Sequence, residues 1–168
     1  KIAVVHNGII ENFKEIKKKL IQEQHIFRSD TDTEVIVHLI ERYMSDSLEE
    51  AVEKALSDLE GSYAIAAISE LDPGKIVVCR KGSPLIIGLG NGENYISSDI
   101  NSIVTHTKDI IFLEDDEMAT LTKDTVIVKK IGGPEIKKDI QTIEWTPEDS
   151  EKQGYEHFML KEIHEQAP

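Results

Sequence analysis

Ile2-Ala3-Val4-Val5-His6-Asn7-Gly8-Ile9-Ile10-Glu11-Asn12 is the stretch on which the rest of the chain hangs. Residues 2 to 6 form a short β-branched apolar run closed by Asn-Gly, which predicts a buried strand ending in a tight turn. A helix is expected next, because Ile10, Phe13, Ile16, Leu20 and Ile21 recur at helical spacing with lysines between them. His25 to Arg28 reads as a short strand. Thr31-Asp32-Thr33-Glu34 then has the form of a capping box, with Val35, Ile36, Leu39, Ile40 and Tyr43 as the apolar stripe behind it. Ser47-Leu48-Glu49-Glu50 repeats that signal ahead of Ala51, Val52, Ala55, Leu56 and Leu59, and Gly61 closes the helical third of the chain.

From Ser62 the period changes. Short apolar runs alternate with turn signals: YAIAAIS, Asp72-Pro73-Gly74, IVVCR, Gly82-Ser83-Pro84, LIIGLG, Asn91-Gly92 and YISSD. Runs at 110–113, 117–122 and 125–131 extend the pattern, with a hairpin turn at Lys123-Asp124 and a break at Gly132-Gly133-Pro134. Residues 144–153 are polar and acidic, which suits a surface or linker segment, and His157 to Gln166 reads as a short helix. Helices and antiparallel strands in these proportions predict an α+β architecture with helices packed on sheet faces.

Composition narrows the partners. A chain of 168 residues with 39% apolar and 30% charged residues suits one globular domain. Its net charge of −13 repels nucleic acid and anionic lipid, so neither is expected as a partner. No apolar run reaches the roughly 18 residues a membrane span needs, and the first residues lack a signal-peptide layout, so a cytoplasmic location is expected. Cys79 is the single cysteine and lies in the strand-like run Ile76–Arg80, where a packed, inert thiol is the natural reading. The six histidines show no metal-ligand spacing along the chain, and no phosphate loop is present, so no metal and no cofactor are expected.

Two features carry possible chemistry, each with a plain alternative. Asn7-Gly8 is a turn dipeptide. It is also a pair that can make an oxyanion hole, the amide donating from one side and a backbone N–H from the other; each such donor is worth about 3–4 kcal/mol. Ser29-Asp30-Thr31-Asp32-Thr33-Glu34 caps a helix, and one of its carboxylates can instead pair with a ligand ammonium. His6 can orient the neighbouring loop or be an ordinary core residue. No role falls to His25, His38, His106, His157 or His164.

With those residues in view, a family resemblance emerges. Val4 to Asn12 resembles the signature of class II glutamine amidotransferases. Ser29–Ile36, Leu59–Ala64, Gly82–Gly90 with Ser97-Ser98-Asp99, and Tyr155–Gln166 are similar to further stretches of its hexosamine-forming branch. The resemblance implies the N-terminal-nucleophile fold, a four-layer αββα sandwich, formed by residues 1–143. Residues 144–168 would be an acidic surface segment starting a linker toward a sugar isomerase domain.

The resemblance also implies a reaction. A thiol of an amino-terminal cysteine attacks the side-chain amide of L-glutamine with its own α-amine as base, and the ammonia converts fructose 6-phosphate to glucosamine 6-phosphate. Asn7 and Gly8 match the oxyanion-hole pair, and Asp32 matches the carboxylate that holds the glutamine α-ammonium.

Residue 1, however, is Lys1, so the nucleophile-bearing segment is expected to be absent and the sandwich truncated at its N-terminal side. The chain alone should then be inactive, and unpaired strand edges should favour a homodimer. A non-catalytic glutamine-binding or protein-interaction module of the same fold, or a relative such as amidophosphoribosyltransferase, stays open at this point.

Overall fold

The computed structural model describes residues 1–45 and 47–144. The helix read at His157 to Gln166 and nearly all of the acidic segment therefore lie outside the described residues. The chain begins with β1 (Ile2–Ile10), followed by α1 (Phe13–Gln22), α2 (Asp32–Tyr43) and α3 (Leu48–Leu56). Strands β2 (Gly61–Ser69) and β3 (Asp72–Lys81) form a long hairpin, and β4 (Ile86–Leu89) pairs with β5 (Asn94–Ser97). After a 3-10 turn at Ile100–Ser102 come β6 (Asp109–Phe112), β7 (Glu117–Leu121), β8 (Val126–Lys130), β9 (Glu135–Ile136) and β10 (Gln141–Thr142).

The strands divide into two antiparallel sheets, one ordered β1-β2-β3-β7-β8-β9 and the other β10-β6-β4-β5. Helices α1, α2 and α3 cover the outer face of the larger sheet, so Leu39, Ile40, Leu48 and Val52 meet Ile65, Ala67, Val77 and Cys79 in one core. Between the sheets, Ala64, Val78 and Ala119 pack against Leu85, Ile87 and Ile111. On the far side of the smaller sheet Ile86 and Ile110 are capped by Ile103, beside the 3-10 turn. The layer order is therefore helix, sheet, sheet and a short outer cover: the α+β sandwich expected from the sequence.

Central strands explain why the apolar runs lack alternation. In β2, Ile65 and Ala67 face the helices while Ala64 faces the second sheet, and both sides are dry. In β4 the same logic puts Ile87 inward and Ile86 outward, and a Cβ at Gly88 would collide with Ile103 and Thr107. Leu48, Ala51, Val52, Ala55 and Leu56 are all buried along α3, and Ser47 caps it by accepting from the Glu50 N–H at 3.5 Å.

Several local expectations are corrected. Asn7-Gly8 is not a turn: β1 runs through it in unbroken register with β2 as far as Ile10, with Gly8 at φ +138°. Nor is β1 buried on both faces. Val5 and Ile9 are 74% and 66% exposed, because among the described residues β1 is an edge strand whose inter-sheet side is not covered by the smaller sheet. The β2–β3 turn falls at Glu70-Leu71, and Asp72-Pro73-Gly74 lies inside β3, beside a register shift at Ala67/Ser69. His25–Arg28 is irregular, and Ile21 lies 52% exposed rather than in the helix stripe. The capping box does not form, since neither of its two reciprocal bonds is made. Thr31 makes no side-chain cap, while Glu34 reaches back to the N–H groups of Arg28 and Ser29, both at 2.7 Å.

Candidate functional site

The nominated residues gather along the free edge of β1. Lys1 O accepts from the Glu70 N–H at 3.0 Å and the Glu11 N–H donates to Glu60 O at 2.8 Å, so odd-numbered residues of β1 exchange backbone bonds with β2. Even-numbered residues turn their backbone groups outward by the alternation of an antiparallel pair. Ile10 does so: its N–H donates to Asp32 Oδ2 at 2.9 Å, which pins the first residue of α2 to the strand edge. Gly8, two residues earlier, has the same phase, and its N–H belongs to that outer edge.

Side chains obey the complementary alternation. Asn7 lies opposite Ala64, on the inter-sheet side, where a cavity of about 480 Å³ is lined by Val5, Asn7, Leu85, Ile96, Ser97 and Ser98. A larger cavity of about 860 Å³ continues the cleft past Ala3, Ile68 and Ile76 toward Lys1, Glu70 and Lys123 and contains none of the nominated residues. Asn7 decides which part of the cleft matters. His6, on the opposite face, has Nδ1 3.1 Å from Thr33 Oγ1, while its Nε2 is buried without a hydrogen-bond partner. Burial pushes its pKa below the ordinary 6.5, against the pull of nearby Asp32.

Glycine is required at two points of this edge. A Cβ at Gly8 would overlap the Ser62 carbonyl, and one at Gly61, at φ +123°, would overlap the Ile9 carbonyl. Close approach of β1 and β2 at this end is thus built on two side chains that are not there. Asn12 locks the end of the strand by donating to Asp58 O at 2.8 Å and accepting from the Glu60 N–H at 3.1 Å.

Cys79 is fully buried on the helix side of β3, and burial pushes its thiol far above the usual range, as the sequence reading anticipated. Sequence spacing missed one cluster. His25, His38 and Glu41 bring one ligand atom each within 4.8 Å of one another. The pair His38/Glu41 is an i,i+3 signal on α2, but His25 joins it only through the irregular loop that leaves α1.

Comparison with known proteins fits this geometry. The family described as a glutamine amidotransferase domain matches residues 1–105. The chain belongs to the glutamine amidotransferase domain family. It is 53% identical over 98% of its length to the glutamine–fructose-6-phosphate aminotransferase [isomerizing] of Methanothermobacter thermautotrophicus, and 52% identical over 99% to that of Thermococcus kodakarensis. The chain spans 28% of the length of each of these relatives. Among solved structures it resembles the glutamine phosphoribosylpyrophosphate amidotransferase of B. subtilis, with 28% identity and a TM-score of 0.66 over 77% of this chain and 29% of that one. That likeness places the amidotransferase sandwich among the N-terminal-nucleophile folds. Among the described residues no helix is long and apolar enough to cross a membrane.

Proposed function

We propose that residues 1–143 form the glutaminase domain of an enzyme that hydrolyses L-glutamine and passes the ammonia to fructose 6-phosphate, yielding glucosamine 6-phosphate. The acceptor rests on identity to relatives bearing that activity in their names, at 53% and 52%, against 28% for the phosphoribosyl relative. Residues 144–168 are read as the segment leading to a sugar isomerase domain, the partner that receives the ammonia, in an enzyme that works as a homodimer.

The observation that carries the site is the common edge of β1. In this reading the Asn7 amide and the Gly8 N–H receive the oxyanion that develops on the glutamine side-chain carbonyl, and Asp32 receives the α-ammonium. Gly8 and Ile10, which holds Asp32, are two residues apart along the strand, about 6–7 Å. An extended glutamine has a similar reach, five bonds of about 1.5 Å in a zigzag from its α-nitrogen to its side-chain oxygen. Cys79 is too deeply buried to attack, so the nucleophile belongs to a cysteine outside residues 1–168.

The test is glutamate release from glutamine by this chain alone and by the chain joined to an upstream segment that begins at cysteine. Activity in the joined form alone is expected. A folded joined form without glutaminase activity would overturn the proposal in favour of a binding module.

A further inference from the structure

The loop between α1 and α2 meets α2 at two histidines and a glutamate that no part of the glutaminase reading uses. Nδ1 of His25 lies 3.1 Å from Nδ1 of His38. Glu41 Oε2 is 3.6 Å from the first nitrogen and 3.4 Å from the second. Three potential ligand atoms thus form a nearly equilateral triangle. Zinc bonds of about 2.0–2.1 Å at the tetrahedral angle hold neighbouring ligand atoms about 3.3 Å apart, while six-coordinate geometry at the same bond length brings them to about 3.0 Å. The observed edges fit the first spacing better, and an ion bonded to all three atoms would sit just outside their plane with its fourth position toward solvent.

The surroundings match a metal site in three further respects. Both imidazoles are largely buried, with side chains 16% and 14% exposed, whereas Glu41 at 62% leaves an entry path. The ring of Phe27 packs 4.3 Å from that of His38 and dries one side of the cluster. The other nitrogen of His38, Nε2, faces Glu34 Oε1 at 3.7 Å, beyond hydrogen-bond distance but close enough for that carboxylate to add negative charge beside a bound cation. Glu34 is itself fixed by the N–H groups of Arg28 and Ser29.

We propose that His25, His38 and Glu41 form a binding site for a divalent transition cation of the zinc class, which clamps the loop of residues 23–31 onto α2. The loop runs directly into Asp32, so the ion braces the carboxylate that is bonded to the edge of β1. It is a structural clamp, and its existence does not depend on the glutaminase reading.

The test uses the whole chain, freed of metal by chelator dialysis and titrated with Zn²⁺ by calorimetry and with Co²⁺ by visible absorption. One equivalent should bind, and Co²⁺ should show the intense d–d bands of four-coordination. The single substitutions His25→Gln and Glu41→Gln should each weaken binding at least about ten-fold while leaving the far-ultraviolet circular dichroism unchanged. Glu41 is mostly exposed, so that variant keeps the test valid if the histidine variant misfolds. Hydrogen exchange over residues 24–31 should slow on adding Zn²⁺. Absence of stoichiometric binding, weak six-coordinate Co²⁺ bands, or undiminished affinity in Glu41→Gln would each overturn the site; in that case His25 and His38 make a plain imidazole hydrogen bond.

Discussion

Gly8 combines a positive φ with no room for a Cβ against the Ser62 carbonyl, so Gly8→Ala should cost about 1–3 kcal/mol or more, measured by urea denaturation. Asp32 has two duties in the proposed site, bonding the Ile10 N–H and holding a substrate ammonium. In the joined glutaminase, Asp32→Ala should raise KM for glutamine more than it lowers kcat, and an unchanged KM would remove it from the site. Glu34 titrates far below the ordinary 4.5, at about 2, held there first by the Ser29 hydroxyl and then by the Arg28 N–H. Its contribution to stability is complete above 4.5 and is lost as pH falls toward about 2, because the unfolded chain takes up the proton first. Glu34→Gln should therefore flatten the acid limb of a stability–pH profile in that window. For His6 the lowered pKa adds no protonation-linked cost above 6.5 and an increasing one as pH falls below it. Of these four residues, Gly8 and Asp32 were legible as candidates because their types name their chemistry; the partners of Glu34 and His6 were not, since each bond closes across a loop or between elements.

At the scale of elements, α2 and α3 were readable in advance because one face alone is buried, and a 3.6-residue stripe survives in the sequence. Leu39 is 1% exposed in the core between α2 and the larger sheet, so Leu39→Ala should destabilise by about 2–5 kcal/mol in thermal or chemical unfolding. The strands were harder. YAIAAIS and LIIGLG announce burial without announcing a partner, since both faces of β2 and β4 are covered and alternation disappears. Asp72-Pro73-Gly74 was read as a turn on composition, yet the chain reverses at Glu70-Leu71 and the proline is absorbed into β3 by a register shift. Turn chemistry permits a reversal there, and the pairing of Val77–Arg80 with both β2 and β7 decides where it falls.

Across the whole molecule the free edge of β1 is the feature that matters most. Among the described residues no strand pairs with the outer side of β1, and Val5 and Ile9 leave apolar side chains in solvent beside it, a surface that strand pairing uses. If the chain self-associates through this edge, Val5→Lys should shift it toward monomer by light scattering, and an unchanged mass would locate the dimer contact elsewhere. By itself the sequence determined helices α1, α2 and α3, the existence of most strands, the inert Cys79 and the family signature around Asn7-Gly8, because each is written in local periodicity or in residue type. Only the tertiary structure decided that the strands form two sheets, that β1 is an edge with one face open, and that His25, His38 and Glu41 converge. Those outcomes depend on which distant segment covers a given face, and a run such as IAVVH looks the same whether its second face is dry or wet.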